Sequence, residues 1–143
     1  MSATAPQRVG GRLIELLTSE LERFPEIELA ILYGSRAGDT ARADSDLDLA
    51  VAKDAREQLP PEFLVDLSLA ASRATGVEVQ VRDLARADGL FLKQVLTTGR
   101  LLLCRRSAVR AELIIRMLDF DADMLPNIRM IRRVTRERFL DGS

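Results

Sequence analysis

Two aspartates separated by one residue, Asp46 and Asp48, are the side chains of this sequence best suited to chemistry. In an extended chain, residues at positions i and i+2 project from the same face, about 7 Å apart at the backbone. Two ionised carboxylates at this spacing repel each other, so a structure that keeps both charged favours a cation between them. Hard divalent ions such as Mg²⁺ bind carboxylate oxygens together with substrate phosphates. The pair therefore predicts a magnesium site, for one ion or two, that handles a phosphorylated substrate.

A Gly-Ser-Arg segment, Gly34 to Arg36, precedes the two aspartates and suits the binding of phosphate. Glycine at the end of a strand lets the backbone approach a bulky anion closely. The Ser35 hydroxyl and the amides that follow it are donors to phosphate oxygens, and Arg36 adds a guanidinium fork. Each feature alone is common on protein surfaces, but the joint arrangement with the aspartates is specific. The segment is not a P-loop, because no Gly-Lys-Ser/Thr follows it.

Composition excludes several other kinds of chemistry. The chain has 143 residues, no histidine and one cysteine, so histidine-based catalysis and multi-cysteine metal sites are excluded. The cysteine, Cys104, lies in the apolar stretch "RLLLCR", which predicts a buried thiol. The net charge of −1 gives no basic field for nucleic-acid binding. The N-terminal segment lacks the apolar core of a signal peptide, and no apolar run reaches membrane-spanning length, so we expect a cytoplasmic protein with no membrane contact.

The elements that must position these residues follow from the hydrophobic periodicity. An amphipathic helix before Pro25 is followed by a buried strand at 27–33 and an alternating strand at 45–52 that carries Asp46 and Asp48 on one face. Further predicted elements are a helix at 60–76, a strand at 77–84, a helix at 88–98, a candidate strand at 100–105, and helices from Ala108 onward. Two strands in immediate succession favour a small mixed sheet flanked by helices, in an α/β or α+β domain.

The stretch "LYGSRAGDTARADSDLDLAV" resembles the signature of the DNA polymerase beta-like nucleotidyltransferase superfamily, in its minimal (MNT) branch. The resemblance continues through "VEVQVRDLARADGLFLKQVLTTGRLLL" and covers roughly residues 10–105. It implies a polymerase beta-like nucleotidyltransferase core with C-terminal helices. On this basis we expect a minimal nucleotidyltransferase domain at 1–105 and a helical extension at 106–143, packed on the same domain.

The resemblance also assigns roles to individual residues. Gly34 and Ser35 would hold a nucleoside triphosphate, with Arg36 beside them. Asp46 and Asp48 would coordinate the magnesium ions, with ATP as the substrate.

The family's third catalytic acid lies on the next strand, and this chain departs from the pattern there. Laying the family pattern over "VQVRDL" puts Gln80 at the position of the third acid and makes Asp83 the later, non-catalytic aspartate. An amide offers a carbonyl oxygen to a metal but has no charge and is not a base. Two interpretations stay open: Glu78, on the same face of the strand, substitutes for the acid, or the site is weakened and holds a single ion.

Small stand-alone MNT proteins are similar to the antitoxins of HEPN–MNT toxin–antitoxin pairs. The resemblance implies transfer of AMP from Mg²⁺-ATP to a tyrosine of a HEPN-domain ribonuclease toxin, and a hetero-oligomer with that toxin. One alternative is a catalytically weakened antitoxin that neutralises the toxin by binding alone, and another is a small-molecule nucleotidyltransferase. The arginine-rich segment 127–140 is open to three interpretations: a helix packed on the core, a docking element for an acidic partner, or an RNA contact.

Overall fold

A computed structural model describes residues 5–34 and 46–123 of the chain. In these two ranges the helices are α1 (Ala5–Leu21), α2 (Pro61–Thr75), α3 (Gly89–Thr98) and α4 (residues 107–123). The strands are β1 (Leu29–Tyr33), β2 (Leu47–Ala52), β3 (Val79–Asp83) and β4 (Arg100–Cys104), and a 3₁₀ turn (Leu84–Arg86) follows β3. The predicted elements that fall within these two ranges are therefore present in the predicted order, and the predicted helical segment beyond residue 123 lies outside them.

The four strands form one mixed sheet in the order β3-β2-β1-β4. The central strand β1 runs antiparallel to both β2 and β4, whereas β2 and β3 are parallel. A parallel pair requires a long crossover connection, and α2 provides it between β2 and β3. The prediction of a small mixed sheet flanked by helices is confirmed.

Helices cover the sheet on both faces, and two apolar clusters result. On one face, α1 and α2 bury side chains that include Leu17, Leu21, Leu32, Leu49, Leu67 and Val79. On the other face, α3 and α4 bury a second set that includes Leu29, Ile31, Tyr33, Leu92, Val95 and Leu113. Each of the two clusters draws on both central strands, so β1 and β2 are held rigidly between two layers of helices.

Strand β2 is buried on both faces, which differs from the prediction of one charged face. Leu47, Leu49 and Val51 pack toward α1 and α2, whereas Ala50 and Ala52 are buried in the cluster under α3 and α4. Because α3 and α4 cover this second face, the charged part of β2 is confined to its first residues. Asp48 thus lies at the edge of an apolar core.

The prediction of a buried thiol at Cys104 is wrong, because the side chain is exposed. Strand β4 lies at an edge of the sheet, and its residues are exposed or only partly buried. The apolar stretch "RLLLCR" is compatible with a central or an edge strand, and only the strand order distinguishes them.

Helix α2 fixes where β3 begins. Pro61 occupies its first turn, and Gly76, with φ of +79°, ends it in the left-handed conformation typical of a helix C-terminus. The Val79 amide donates a hydrogen bond to the Ser72 hydroxyl at 2.9 Å, and the Ser68 hydroxyl donates one to the Val79 carbonyl at 2.5 Å. These two bonds hold the first residue of an edge strand, and thereby the residue that follows it, Gln80.

Several predictions lie outside the described residues: Ser35, Arg36 and the arginine-rich segment 127–140. The boundary between 1–105 and 106–143 also stays a prediction, although Val109, Leu113 and Met117 of α4 are buried in the same cluster as the sheet. Within the described ranges, no helix is long and apolar enough to span a membrane.

Asp83, the later aspartate of the "VQVRDL" stretch, anchors two neighbouring segments. Its carboxylate accepts the Leu59 amide at 2.7 Å and the Ala85 amide at 2.9 Å. The first bond fixes the loop before α2, and the second begins the 3₁₀ turn after β3. Because both donors are partly buried, Asp83 has a structural role, in agreement with the expectation that it is not catalytic.

We expect Asp83→Ala to lower the free energy of unfolding by about 3 kcal/mol, since two amides would lose a charged acceptor. Urea denaturation measures this loss. Asp88→Ala is the matched comparison, because Asp88 caps α3 through one exposed bond to the Phe91 amide at 2.8 Å. Loss of such a cap costs about 1 kcal/mol. Equal losses in the two variants would contradict the anchoring role of Asp83.

Candidate active site

Three polar residues lie side by side across the sheet at the end where β1 stops and β2 and β3 begin. The antiparallel register pairs Tyr33 with Asp48, and the parallel register pairs Asp48 with Gln80. Asp48 is therefore the middle residue of a row that crosses three strands. The position predicted for the third acid is thus the direct neighbour of Asp48, and the side chain that occupies it is an exposed amide.

Gly34 places backbone directly against the Asp48 carboxylate. It has φ of +79°, a conformation that residues with a Cβ rarely adopt. A Cβ at this position would collide with Oδ2 of Asp48. The close approach therefore requires glycine, and it places Gly34, the first residue of the segment predicted to bind phosphate, against Asp48, a residue predicted to bind metal.

The environment of Asp48 disfavours its charged form in the absence of a cation. Partial burial raises the pKa of Asp48 above its usual value, the charge of Asp46 raises it further, and the charge of Arg82 opposes both effects. A divalent ion between the two carboxylates would remove their repulsion. The electrostatics thus fit the cation that the sequence predicts.

The donor set fits one magnesium ion better than two. Mg²⁺ binds proteins through one or two carboxylates and completes its shell with substrate phosphates and water. Asp46 is exposed at the start of β2 and provides the second carboxylate beside Asp48. In residues 5–34 and 46–123, no three acidic, histidine or cysteine side chains come together in a group able to hold a metal.

Glu78 lies next to β2 through its backbone, since its carbonyl accepts the Leu47 amide at 2.9 Å. Its side chain is exposed, and it does not complete a three-acid group with Asp46 and Asp48 in the described part of the chain. This geometry favours the single-ion interpretation, and the substitution by Glu78 stays a hypothesis for mutagenesis.

The site also contains three residues that the sequence patterns did not single out: Tyr33, Arg82 and Phe91. The Tyr33 ring is 7% exposed and contacts the Phe91 ring edge-on, with centroids 5.2 Å apart. The Cζ atom of Arg82 lies 4.0 Å from the centroid of the Phe91 ring, and the guanidinium is close enough to the Tyr33 hydroxyl to influence its pKa. Burial raises the pKa of Tyr33, and the Asp48 charge adds to this effect.

Some of these residues carried a signal in the sequence. Tyr33 directly precedes the Gly-Ser pair, and Arg82 lies on the same alternating face of β3 as Gln80. Phe91 carried none, because its place depends on how α3 docks on the sheet.

The close approach of Gly34 leads to a prediction. In Gly34→Ala, the new methyl group would push Asp48 aside and the left-handed backbone would be strained. We expect the free energy of unfolding to fall by about 1–3 kcal/mol. We expect nucleotide transfer to fall about 10²-fold, because a displacement near 1 Å at a reacting site has such an effect. Urea denaturation and a transfer assay measure the two losses.

Gly76→Ala is the matched control. Gly76 has the same φ of +79°, but a Cβ there would meet nothing within 4 Å. It should therefore lose stability through backbone strain alone and keep full transfer. Equal transfer in both variants would show that contact between Gly34 and Asp48 does not matter for activity.

Comparison with known families gives one match to a family model. The model described as "Polymerase beta, Nucleotidyltransferase" matches residues 15–108, about two thirds of the chain. The matched range contains every strand of the sheet and the row formed by Tyr33, Asp48 and Gln80. Among curated proteins, no significant match is found.

Solved structures with a similar fold come from toxin–antitoxin complexes. A chain from a toxin–antitoxin complex with AMP-PNP superposes with a TM-score of 0.64 at 22% identity, covering 88% of this chain and 98% of its own length. A chain from the complex of tri-AMPylated Shewanella oneidensis HEPN toxin with MNT antitoxin gives a TM-score of 0.59 at 20% identity, with coverages of 91% and 98%. At these identities the likeness establishes a shared fold over nearly the whole length of those chains.

Proposed function

The chain belongs to the polymerase beta nucleotidyltransferase family, and from this premise we propose that it is the antitoxin of a HEPN–MNT pair. Its reaction is the transfer of AMP from Mg²⁺-ATP to a tyrosine of its HEPN-domain ribonuclease toxin. The single observation that carries the proposal is the placement of Asp48. Its carboxylate lies between Tyr33 and Gln80 in the sheet and against the backbone of Gly34. This placement supports a site in which Asp48 binds the metal ion and the turn that begins at Gly34 binds phosphate.

The residues of the proposed site have different roles in the reaction. Asp46 and Asp48 would hold the magnesium ion, and Gly34, Ser35 and Arg36 would hold the triphosphate. When bound, Mg²⁺ supplies Lewis-acid stabilisation of charge on the phosphate oxygens. Burial at the edge of the core makes the interaction of Asp48 with a cation stronger than it would be in water.

The bond changes balance without a catalytic base from the chain. The tyrosine hydroxyl oxygen forms a bond to the α-phosphorus, the bond from that phosphorus to the bridging oxygen breaks, and pyrophosphate leaves with the electron pair. The proton of the hydroxyl passes to water. Gln80 does not accept the proton of the tyrosine hydroxyl, because an amide is not a base at neutral pH.

The solved structures support the choice of partner. One chain with a similar fold comes from the complex of a tri-AMPylated HEPN toxin with an MNT antitoxin, and another comes from a toxin–antitoxin complex described as MntA-HpeT. A neighbour also contains AMP-PNP, an analogue of ATP.

A second candidate function is neutralisation of the toxin by binding alone. Gln80 favours it, because the amide beside Asp48 removes the charge and the base that a third acid would supply. A growth assay separates the two functions. The chain is co-expressed with the product of the adjacent gene, as wild type and as the Asp46→Asn, Asp48→Asn double variant.

If AMP transfer neutralises the toxin, the wild type restores growth and the double variant does not. If binding suffices, both restore growth, provided that the two forms accumulate equally. Failure of the wild type to restore growth would contradict the antitoxin function as such.

A further inference from the structure

Arg82 occupies a position on β3 from which it reaches the predicted metal site. It lies two residues beyond Gln80 on the same face and is paired in register with Ala50 of β2. Because β2 lies between β1 and β3, Arg82 extends across β2 toward Tyr33, whose pKa it influences. The small side chain of Ala50 leaves room for this path. The guanidinium therefore lies on the same face as Asp48, close enough for their charges to interact.

The contact of Arg82 with the Phe91 ring restricts its guanidinium and leaves its N–H donors available. The Arg82 Cζ atom lies 4.0 Å from the centroid of the Phe91 ring, which in turn packs edge-on against Tyr33. Among the described residues, no carboxylate lies within ion-pair distance of it. A guanidinium has five N–H donors, so several remain for a ligand.

Other arginines of the fold are used differently. Arg105 donates to the carbonyls of Glu22, Phe24 and Ile27, and Arg116 donates to those of Ala55, Ala85 and Ala87. Both side chains donate to backbone carbonyls and thereby hold these segments in place. Arg82 differs because it lies over an aromatic ring, on the same face of the sheet as Asp48.

We propose that Arg82 is a phosphate-binding residue of the transfer site and takes the charge-neutralising role of a second divalent ion. The inference rests on the proposed nucleotidyl transfer. With one divalent ion bound, the two aspartates, the ion and Arg82 together carry a net charge of plus one. A site with three carboxylates and two divalent ions carries the same net charge. Replacing the third acid by Gln80 and the second ion by Arg82 therefore leaves the net charge of the site that binds the triphosphate unchanged.

The geometry of the group suits this role. A guanidinium fork binds two phosphate oxygens at once, and arginine clamps stabilise transferring phosphoryl groups in the way that magnesium ions do. The Phe91 ring restricts the orientations of Arg82, so less freedom is lost when the nucleotide binds. The ligand class is therefore a nucleoside triphosphate with one bound divalent ion.

Calorimetry on the full chain with AMP-PNP and Mg²⁺ tests the inference through binding. We expect Arg82→Gln to weaken the affinity for AMP-PNP about 10- to 100-fold, the effect of losing charged hydrogen bonds to phosphate. Arg82→Lys keeps the charge and should recover part of the affinity. The matched control is Arg110→Gln, which removes an exposed arginine on α4 and should leave the affinity unchanged. Thermal unfolding of each variant without nucleotide shows whether the fold is intact.

Each outcome has a defined meaning. Equal affinities for the wild type and a folded Arg82→Gln variant would overturn the role of Arg82 and leave the proposed function standing. No binding of AMP-PNP by the wild type would overturn both. Electron paramagnetic resonance with Mn²⁺ counts the ions in the AMP-PNP complex: one ion per chain supports the substitution of Arg82 for the second ion, and two ions would overturn it.

Discussion

Asp48→Asn is expected to lower the rate of AMP transfer about 10³-fold, because it removes half of the anionic charge available to the metal. Asp48 is the middle residue of the row across the sheet, and the backbone of Gly34 lies against its carboxylate. An asparagine has nearly the same shape, so the row and the turn should keep their geometry. The measurement is the rate of AMP incorporation into the partner at saturating Mg²⁺ and ATP.

The same substitution is expected to raise the stability of the nucleotide-free protein. The folded state raises the pKa of Asp48, so the folded chain holds this proton more tightly than the unfolded chain does. The ionised carboxylate therefore destabilises the wild type as pH rises from the ordinary aspartate value through the raised one. Asp48→Asn lacks this penalty, so its advantage should be present at pH 7 and should disappear in acid. Thermal unfolding at several pH values measures it.

Asp66→Asn is the control for both effects. Asp66 is an exposed carboxylate on α2, outside the site. It should change neither the transfer rate nor the pH dependence of stability. An Asp48→Asn variant that keeps the wild-type transfer rate would contradict the metal-binding role of Asp48.

Gln80→Asp is expected to raise the rate of transfer, on the order of 10²-fold, the usual contribution of a positioned general base. The register places residue 80 directly beside Asp48, so an aspartate there would form a three-carboxylate site. It would add the charge and the proton acceptor that an amide lacks, and Mn²⁺ counting should show a second bound ion. Arg82 also flanks the new side chain and is the counterion for its charge.

The outcome also decides between the two interpretations of the missing acid. If the site works without a third carboxylate, Gln80→Asp accelerates transfer and Glu78→Gln leaves the wild-type rate unchanged. If Glu78 already substitutes for the acid, Glu78→Gln removes activity and Gln80→Asp gives little gain. A loss of activity in Glu78→Gln would therefore contradict the single-ion account.

The local pattern of the sequence was sufficient to predict which residues share a face. Alternation along "SDLDLAVA" places Asp46 and Asp48 together, and the same periodicity places Gln80 and Arg82 together on β3. Periodicity does not determine the partner of each residue across two strands. The pairing of Asp48 with Gln80 depends on the length of the α2 crossover and on the serines of α2 that hold Val79.

Features that depend on tertiary packing were not predicted from the sequence. The exposure of Cys104 follows from the position of β4 at the sheet edge, and an apolar stretch does not reveal strand order. The contact between Phe91 and Arg82 follows from the docking of α3 over the sheet. The burial of Ala50 and Ala52 follows from the same helix together with α4. Thus the face that carries Asp48 and Gln80 was predictable, but the aromatic and guanidinium groups beside it were not.

The most direct test of the central claim, transfer of AMP by the site at Asp46 and Asp48, is the intact mass of the partner. The chain is purified with the product of the adjacent gene and incubated with Mg²⁺ and ATP, and both chains are weighed by mass spectrometry. We predict that the partner gains one or more AMP groups and that Asp48→Asn abolishes the gain. A stable complex in which the mass of the partner stays unchanged would contradict transfer and leave neutralisation by binding.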